Sequence, residues 1–291
     1  MQHRPPAFLK ELQAIYDRNQ AEQDERRKTV LDLRHNPSSA SMELDGKVIG
    51  ACNRALYWRH FKEPKSNVSG LANILQRDFG NAIHDLILGL FKTSKNFTLA
   101  DEQGGKVLLD PLTNELSYRI DGVVLTPESK GGMELKTTQG GSLTYQKKEG
   151  TTPKQDHCLQ VADYFHADQS LEWFSLIYLA RDSGYHLEYH LWYDNNKLYC
   201  QRVLPWADVV CLDWLDYDKV LARRTALELA VKTKTLPPRD FQAVLRPDGS
   251  ITDKRQSEGV EYKSDMLCAK YCDWRSKCWS MPDAKQFAKL S

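Results

Sequence analysis

Two short segments in the middle of the chain decide its fold: Tyr118-Arg-Ile-Asp-Gly-Val-Val124 and Met133-Glu-Leu-Lys-Thr137. Both have the β-branched or alternating apolar pattern typical of strands. Residues two positions apart on a strand share a face, so Glu134 and Lys136 point the same way and the residues between them face the opposite layer. A hairpin would bring Asp121 beside them. Three charged groups on apolar strand faces require partners, either one another or a metal ion.

These residue types suit the hydrolysis of phosphodiesters. Two carboxylates, Asp121 and Glu134, together with a backbone carbonyl are ligands that Mg²⁺ or Mn²⁺ prefers. Such a cation acidifies a bound water and neutralises charge on a phosphate, and Lys136 is near enough to hold or deprotonate that water. The other interpretation of the same short pattern is a buried ion pair within a sheet.

Two helical segments add candidate residues. His84 lies on an amphipathic helical stretch, where it is either an additional ligand for an Mn²⁺-like ion or an ordinary core or surface histidine. Gln160 and Tyr164 are four positions apart on the helix that follows the candidate strand, so they share one face. That face would orient a phosphate or the lysine, or it is simply helix surface.

Four cysteines, one early in the chain and three near its end, form a second candidate site. Cys52 is far upstream, whereas Cys268, Cys272 and Cys278 are clustered near the end of the chain. Thiolates in this spacing suggest zinc or an iron–sulfur cluster. The chain has seven cysteines, an odd number that argues against a disulfide scaffold and favours a reducing cytosol. The other three, Cys158, Cys200 and Cys211, are interpreted as ordinary buried thiols.

The overall charge limits how the protein meets nucleic acid. The 291 residues include 40 basic and 39 acidic side chains, which give a formal net charge of +1. Contact with a polyanion must therefore use a local groove. Candidate DNA contacts lie around a basic loop: Lys106, Tyr145, Lys147, Lys148 and Lys154. The first residues contain no apolar signal region, and no apolar stretch is long enough to span a bilayer, so we expect a cytoplasmic protein without membrane contact.

Periodicity predicts helices bracketing a compact group of strands, which is typical of an α/β domain with a mixed central β-sheet flanked by helices. Residues 1–50 are predicted to be a helical N-terminal extension and residues 51–291 the main domain. The predicted helices span residues 5–35, 52–61, 68–91, 154–167 and 205–234. The predicted strands span residues 106–109, 116–126, 132–137, 172–179, 185–193 and 199–203, and beyond Pro237 an irregular chain is expected.

Taken in order, these motifs resemble the RecB-like branch of the PD-(D/E)xK nuclease superfamily, and more narrowly the iron–sulfur exonucleases related to the CRISPR-associated protein and to the AddB nuclease domain. The resemblance runs from Cys52 to Trp279. It rests on Cys52, Gly80…His84, Asp121-Gly122, Glu134-Leu135-Lys136, Gln160…Tyr164 and Cys268, Cys272, Cys278. The spacing departs from the family pattern at the first terminal cysteine pair, which has three residues between its members and not two.

The resemblance implies a role for each of these residues. The metal ligands would be His84, Asp121, Glu134 and the carbonyl of Leu135. Lys136 would be the catalytic lysine, with Gln160 and Tyr164 supporting it or contacting DNA. A [4Fe–4S] cluster, with zinc as the alternative, would be held by Cys52, Cys268, Cys272 and Cys278.

The function expected from these motifs is a Mg²⁺- or Mn²⁺-dependent deoxyribonuclease, an exonuclease acting on single-stranded or processed DNA ends. Recombination or DNA repair in a bacterial or phage-infected cell is the expected setting, with a homo-oligomer or a repair protein as a partner. Helicase motifs are absent, so the nuclease would have no motor of its own. Two alternatives remain: a non-catalytic nucleic-acid-binding module that retains the fold, and a zinc-stapled hydrolase of another substrate.

Overall fold

The computed structural model describes residues 35–67, 71–100, 103–108, 115–141, 143, 152–204, 206–246, 251–252, 254–257, 260–263, 265, 268, 272–283 and 288–289, together with residues 15 and 18. The predicted helix over residues 5–35 therefore lies almost wholly outside the described residues. Within it, Ile15 and Arg18 have helical backbone. Three candidate DNA contacts, Tyr145, Lys147 and Lys148, also lie outside the described residues.

The described residues form a mixed α/β fold. Its helices are α1 (Asn53–His60), α2 (Leu71–Phe91), α3 (Gln155–Ala167), α4 (Tyr217–Thr233) and α5 (Arg275–Trp279). The strands that precede α4 are β1 (Ser41–Leu44), β2 (Lys47–Gly50), β3 (Thr98–Ala100), β4 (Gln103–Leu108), β5 (Glu115–Ile120), β6 (Gly122–Leu125), β7 (Lys130–Thr138), β8 (Trp173–Ala180), β9 (His186–Asp194), β10 (Lys197–Arg202) and β11 (Val209–Cys211). The later strands are β12 (Ala243–Leu245), β13 (Ile251–Thr252), β14 (Lys254–Ser257), β15 (Val260–Lys263) and β16 (Ala288–Lys289).

The centre of the fold is a seven-stranded sheet with the order β11-β10-β9-β8-β7-β6-β3. Strands β7 and β8 pair in parallel, and the other neighbours in this sheet are antiparallel. A parallel pair requires a long crossover, and α3 lies in the connection between β7 and β8. The prediction of a mixed central sheet flanked by helices is confirmed.

Each face of this sheet is covered by a helix, and the alternation of side chains along β7 explains why. On one face, Tyr164 and Phe165 of α3 pack against Phe174 of β8 in the main hydrophobic core. On the other face, Leu88 of α2 packs with Met133 of β7. Because successive strand residues alternate between faces, β7 presents different side chains to the two helices.

A second hydrophobic cluster joins α1 to the end of the chain. Trp58 of α1 packs with Trp274 and Trp279. The ring centroids of Trp58 and Trp274 lie 6.3 Å apart. The three-stranded sheet β13-β12-β16 supplies further buried residues, including Ala243. Packing rather than a continuous sheet therefore holds residues near position 55 against residues near position 275.

Several sequence-based boundaries are corrected. The predicted long helix over residues 205–234 is wrong in its first part, because Val209–Cys211 pairs with β10 at the sheet edge and the helix begins only at Tyr217. Asp216 caps that helix, its side chain accepting a hydrogen bond from the backbone of Asp218. The segment beyond Pro237 is not irregular throughout, since it contains β12 and the strands that follow it.

The N-terminal and middle segments also differ from expectation. Residues 41–50 were predicted to belong to the helical N-terminal extension, but they form the β1–β2 hairpin. Met42 of this hairpin packs on Val220 of α4. The predicted strand over residues 116–126 is two strands, with β5 paired to β4 outside the central sheet and β6 inside it. The break falls at Asp121. The domain division at residue 50 stays a prediction.

The helices in the described part of the chain are also informative about membranes. None of them is both long enough and apolar enough to cross a bilayer.

Candidate active site

Asp121 is held at the point where β5 ends and β6 begins. The β6–β7 ladder starts with Gly122 opposite Met133, so Asp121 lies beside the position where the next pair would form. Its carboxylate Oδ2 accepts a hydrogen bond from the backbone N–H of Leu135 at 2.9 Å. A side chain thus takes the place of a backbone ladder bond, which fixes this carboxylate next to the centre of β7.

His84 reaches the same carboxylate from α2. Its Nε2 lies 2.9 Å from Asp121 Oδ2, and both side chains are 20% exposed. Gly80, one helical turn before His84, lets α2 approach β7: a Cβ at this position would lie only 2.8 Å from Thr137 Oγ1. The glycine and the histidine of this motif therefore have linked roles, one in close packing and one in the site.

Glu134 and Lys136 lie on the face of β7 that α3 covers. Lys136 Nζ donates to Glu134 Oε1 at 2.6 Å and to Gln160 Oε1 at 2.8 Å. Gln160 Nε2 donates in turn to Glu134 Oε1 at 2.8 Å. The prediction that Glu134 and Lys136 share a face is confirmed, and α3 adds the amide that bridges them.

Tyr164 completes this polar network one helical turn after Gln160. Its hydroxyl accepts from Gln160 Nε2 at 2.8 Å. The same hydroxyl donates toward the carbonyl oxygen of Arg119 at 2.9 Å and toward Glu134 Oε2 at 3.0 Å. The Tyr164 ring stacks on Phe174 with centroids 5.3 Å apart. Both oxygens of Glu134 are therefore held in a fixed orientation by side chains from β7 and α3.

The electrostatics of the site follow from burial and from the closeness of two carboxylates. Burial raises the pKa of Glu134, and the negative Asp121 raises it further, while Lys136 opposes both effects. The hydrogen bond to Asp121 raises the pKa of His84, and burial opposes it. Burial also raises the pKa of Tyr164, so its hydroxyl stays protonated. Burial and the nearby Asp121 therefore disfavour the negative charge of Glu134, and an added cation would relieve this effect.

The site is not a preformed coordination shell. Over the ranges that the structure describes, no group of three or more His, Cys, Asp or Glu side chains is arranged to hold a metal ion. His84 and Asp121 contact each other directly, and the oxygens of Glu134 are engaged by Lys136, Gln160 and Tyr164. Binding of a cation therefore requires these side chains to exchange partners.

The four candidate cysteines line one cavity of about 340 Å³, although Cys52 lies far upstream of the other three in sequence. Cys268 and Cys278 are buried, whereas Cys52 and Cys272 are half-buried. Burial raises the pKa of Cys52 and that of Cys268 to about 12. Without a bound metal, Cys52 and Cys268 are therefore thiols.

Hydrogen-bond donors point at two of these sulfurs. The indole N–H of Trp279 donates to Cys268 Sγ at 2.9 Å, and Arg54 Nη1 lies 3.9 Å from Cys278 Sγ. N–H donors of this kind stabilise negative sulfur, and they also tune metal–thiolate centres. Of the remaining cysteines, Cys158 and Cys200 are buried as predicted, while Cys211 is only half-buried because it lies on the edge strand β11.

The cavity also connects the two candidate sites. Lys136, His157 and Gln160 line it together with the cysteines. His157 was not singled out from the sequence, and the one available signal was its position three residues before Gln160 on the same helix. Lys154, a candidate DNA contact, is exposed immediately before α3. For Lys106 the structure describes the backbone in β4.

Comparisons with known proteins give only distant similarities. No protein-family model matches the chain, and no curated protein sequence matches it. Among solved structures, the chain is similar to SSO0001, with a TM-score of 0.43 and 16% identity over 77% of this chain and 88% of that one.

It is also similar to an alkaline exonuclease, LHK-Exo, from Laribacter hongkongensis, with a TM-score of 0.39 and 12% identity over 63% of this chain and 79% of that one. The complex of LHK-Exo with dAMP gives a TM-score of 0.39 and 14% identity over the same shares. All three TM-scores lie below 0.5, so the function of this chain has to be inferred from its own site.

Proposed function

We propose that the protein is a metal-dependent nuclease of the PD-(D/E)xK type, in its RecB-like iron–sulfur branch, that hydrolyses phosphodiester bonds of DNA from an end. One observation carries the proposal: Asp121, Glu134 and Lys136 converge. Lys136 Nζ lies 2.6 Å from Glu134, and the charge of Asp121 acts on that same carboxyl group. Each carboxylate now pairs with a base, Glu134 with Lys136 and Asp121 with His84, and two neighbouring carboxylates are the ligands that a cation site requires.

The donor types at this site fit Mg²⁺ or Mn²⁺. His84, Asp121, Glu134 and the carbonyl of Leu135 would hold the ion, which is a set of oxygen donors with one imidazole. Burial disfavours the negative charge of Glu134, and Asp121 adds to that effect, so a cation that binds both carboxylates would be favoured. When bound, the cation supplies charge neutralisation at the phosphate and lowers the pKa of water.

The side chains of the network have separate tasks in this mechanism. Lys136 holds the attacking water and stabilises charge that develops on the phosphoryl oxygens. Gln160 keeps the Lys136 amine in place, since its amide oxygen accepts from that amine at 2.8 Å. Tyr164 fixes Glu134 through its hydroxyl. Holding the reacting groups in one geometry removes part of the entropic barrier to hydrolysis.

The test uses end-labelled DNA, single- and double-stranded, linear and circular, with Mg²⁺ or Mn²⁺. We expect the wild type to degrade linear DNA and Glu134→Gln to lose at least about a hundredfold in rate. Lys130→Met is the matched control, because Lys130 lies at the start of the same strand, β7, and pairs with Asp168 outside the polar network. Wild-type protein that binds DNA and never cuts it would favour the non-catalytic binding module.

We further propose that Cys52, Cys268, Cys272 and Cys278 hold a [4Fe–4S] cluster. The proposal is supported by four thiols that line one cavity and by the N–H donors that face two of them. Among the described residues these thiols are not arranged as a metal-binding group, so the cluster would have to draw them together. The cluster would supply cross-linking of distant segments, which lowers the conformational entropy of the unfolded chain.

Anaerobic purification tests this assignment. A brown protein with broad visible absorbance and iron and sulfide in equal amounts supports the cluster, and a colourless protein with one bound zinc supports the alternative. Cys211→Ala is the matched control, since Cys211 lies on the edge strand β11 and should leave the metal content unchanged.

A further inference from the structure

His157 is an imidazole beside the catalytic lysine that the assignment above does not use. It lies in the first turn of α3, three residues before Gln160, so the two side chains share a helix face. Both line the same cavity as Lys136. The His157 side chain is 20% exposed, so its ring is not fully buried. The site therefore contains one more polar ring than the mechanism requires.

The ring of His157 is fixed by Tyr178 of β8. Its Nδ1 lies 2.8 Å from Tyr178 Oη, and the two rings are tilted by 30° with centroids 5.4 Å apart. Tyr178 stands directly opposite Lys136 in the β7–β8 register. The sheet that positions the lysine therefore also positions the histidine.

The tautomer of His157 depends on which partner donates in the contact with Tyr178. The backbone N–H of Lys154 donates to Tyr178 Oη at 3.2 Å, and the same hydroxyl faces His157 Nδ1 at 2.8 Å, where it either donates or accepts. A neutral imidazole with Nδ1 as an acceptor has its proton on Nε2. Burial lowers the pKa of His157 to about 4, and Lys136 and Lys154 act in the same direction against Asp156. The ring is thus neutral near pH 7.

Asp156 does not occupy the Nε2 position. Its Oδ2 lies 3.8 Å from Nε2, which is beyond hydrogen-bonding distance, and its side chain is 53% exposed. In the tautomer with the proton on Nε2, this donor is offered to a group that enters the cavity beside Lys136.

We propose that His157 is a catalytic residue that contacts the substrate, its Nε2–H donating a hydrogen bond to a non-bridging oxygen of the phosphodiester being cut. The proposal rests on the nuclease function proposed above. A neutral donor orients the phosphate without adding a second positive charge beside Lys136. An oriented donor aimed at developing charge is an effective way to lower the barrier in a site shielded from water.

Two substitutions separate the two nitrogens of His157. His157→Asn places an amide near the position of Nδ1 and loses the donor toward the cavity. His157→Gln places its amide near the position of Nε2 and retains that donor. In single-turnover cleavage at saturating DNA, we expect His157→Asn to be slower by about tenfold to a hundredfold and His157→Gln to keep most of the rate. Equal rates for wild type and His157→Asn, or equal losses in both variants, would overturn the proposal.

A second measurement does not depend on cleavage. Long-range ¹H–¹⁵N NMR spectra of the imidazole should identify the Nε2–H tautomer of His157, assigned by the signal that disappears in His157→Gln. The Nδ1–H tautomer would contradict the inferred donor. His186→Asn, at an exposed histidine of β9, is the control for general effects of losing an imidazole. If the wild type does not cut DNA in this assay, the nuclease function itself fails, whereas cutting with no effect of His157→Asn refutes only this inference.

Discussion

Substituting Lys136→Met would isolate the electrostatic role of the amine, because methionine keeps much of the side-chain volume and removes the charge. Glu134, whose side chain is 6% exposed, would lose its partner at 2.6 Å. At an effective dielectric constant of about 20, that contact corresponds to about 6 kcal/mol of Coulomb attraction. Protonating the carboxyl group costs less, so we expect Glu134 to become neutral in the folded variant.

The cost of protonation sets the magnitude. From an ordinary pKa of 4.5, protonation costs about 1.4 kcal/mol per pH unit, hence up to about 3 kcal/mol at pH 7 and less than about 1 kcal/mol at pH 5. The sign follows from proton binding: above pH 4.5 the folded variant binds more protons than its unfolded chain, so its stability relative to wild type falls as the pH rises. Because Glu134 already has a raised pKa in the wild type, these values are upper limits.

Urea unfolding of wild type and Lys136→Met at several pH values measures this effect. A deficit that grows from pH 5 to pH 7 supports the buried-charge argument, and the double variant Lys136→Met/Glu134→Gln should recover most of the lost stability at pH 7. Lys130→Met, whose more exposed pair with Asp168 is worth at most about 1 kcal/mol, is the control. A deficit that does not change with pH would refute the reasoning.

Three further predictions address other parts of the molecule. Tyr164→Phe should lower the free energy of unfolding by about 1–3 kcal/mol, because the buried carboxylate of Glu134 loses the tyrosine hydroxyl as a donor, and denaturant titration measures the loss; an unchanged value would show that the hydroxyl is dispensable. Cys272→Ala should lose the bound metal and melt at a lower temperature by scanning calorimetry, because metal binding contributes directly to folding; wild-type melting would remove the case for a metal cross-link. Burial lowers the pKa of His166 from 6.5 to about 4, so wild type loses stability as the pH falls from 7 to 5. His166→Phe has no imidazole to protonate, and its free energy of unfolding should therefore fall by about 1 kcal/mol less over the same pH range. The stack on Tyr217 is retained in that variant, so parallel pH curves would contradict the assignment.

The sequence by itself determined the local geometry of the site. A strand repeats every two residues, so the sequence predicts that Glu134 and Lys136 share a face, and helical spacing predicts the same for Gln160 and Tyr164. These relations hold within one element and do not depend on what packs against it. The mixed sheet flanked by helices was also predictable, because the alternation of patterns along the chain is itself a local property.

The tertiary structure decided which residues from distant parts of the sequence come into contact. Asp121 meets His84 where α2 packs closely on β7 at Gly80, and Tyr178, which contacts the His157 ring, stands opposite Lys136. Pairing at the sheet edge turned Val209–Cys211 into a strand where the sequence favours a helix. In each case the contact lies between residues distant in sequence, and no local periodicity specifies the partner across such a distance.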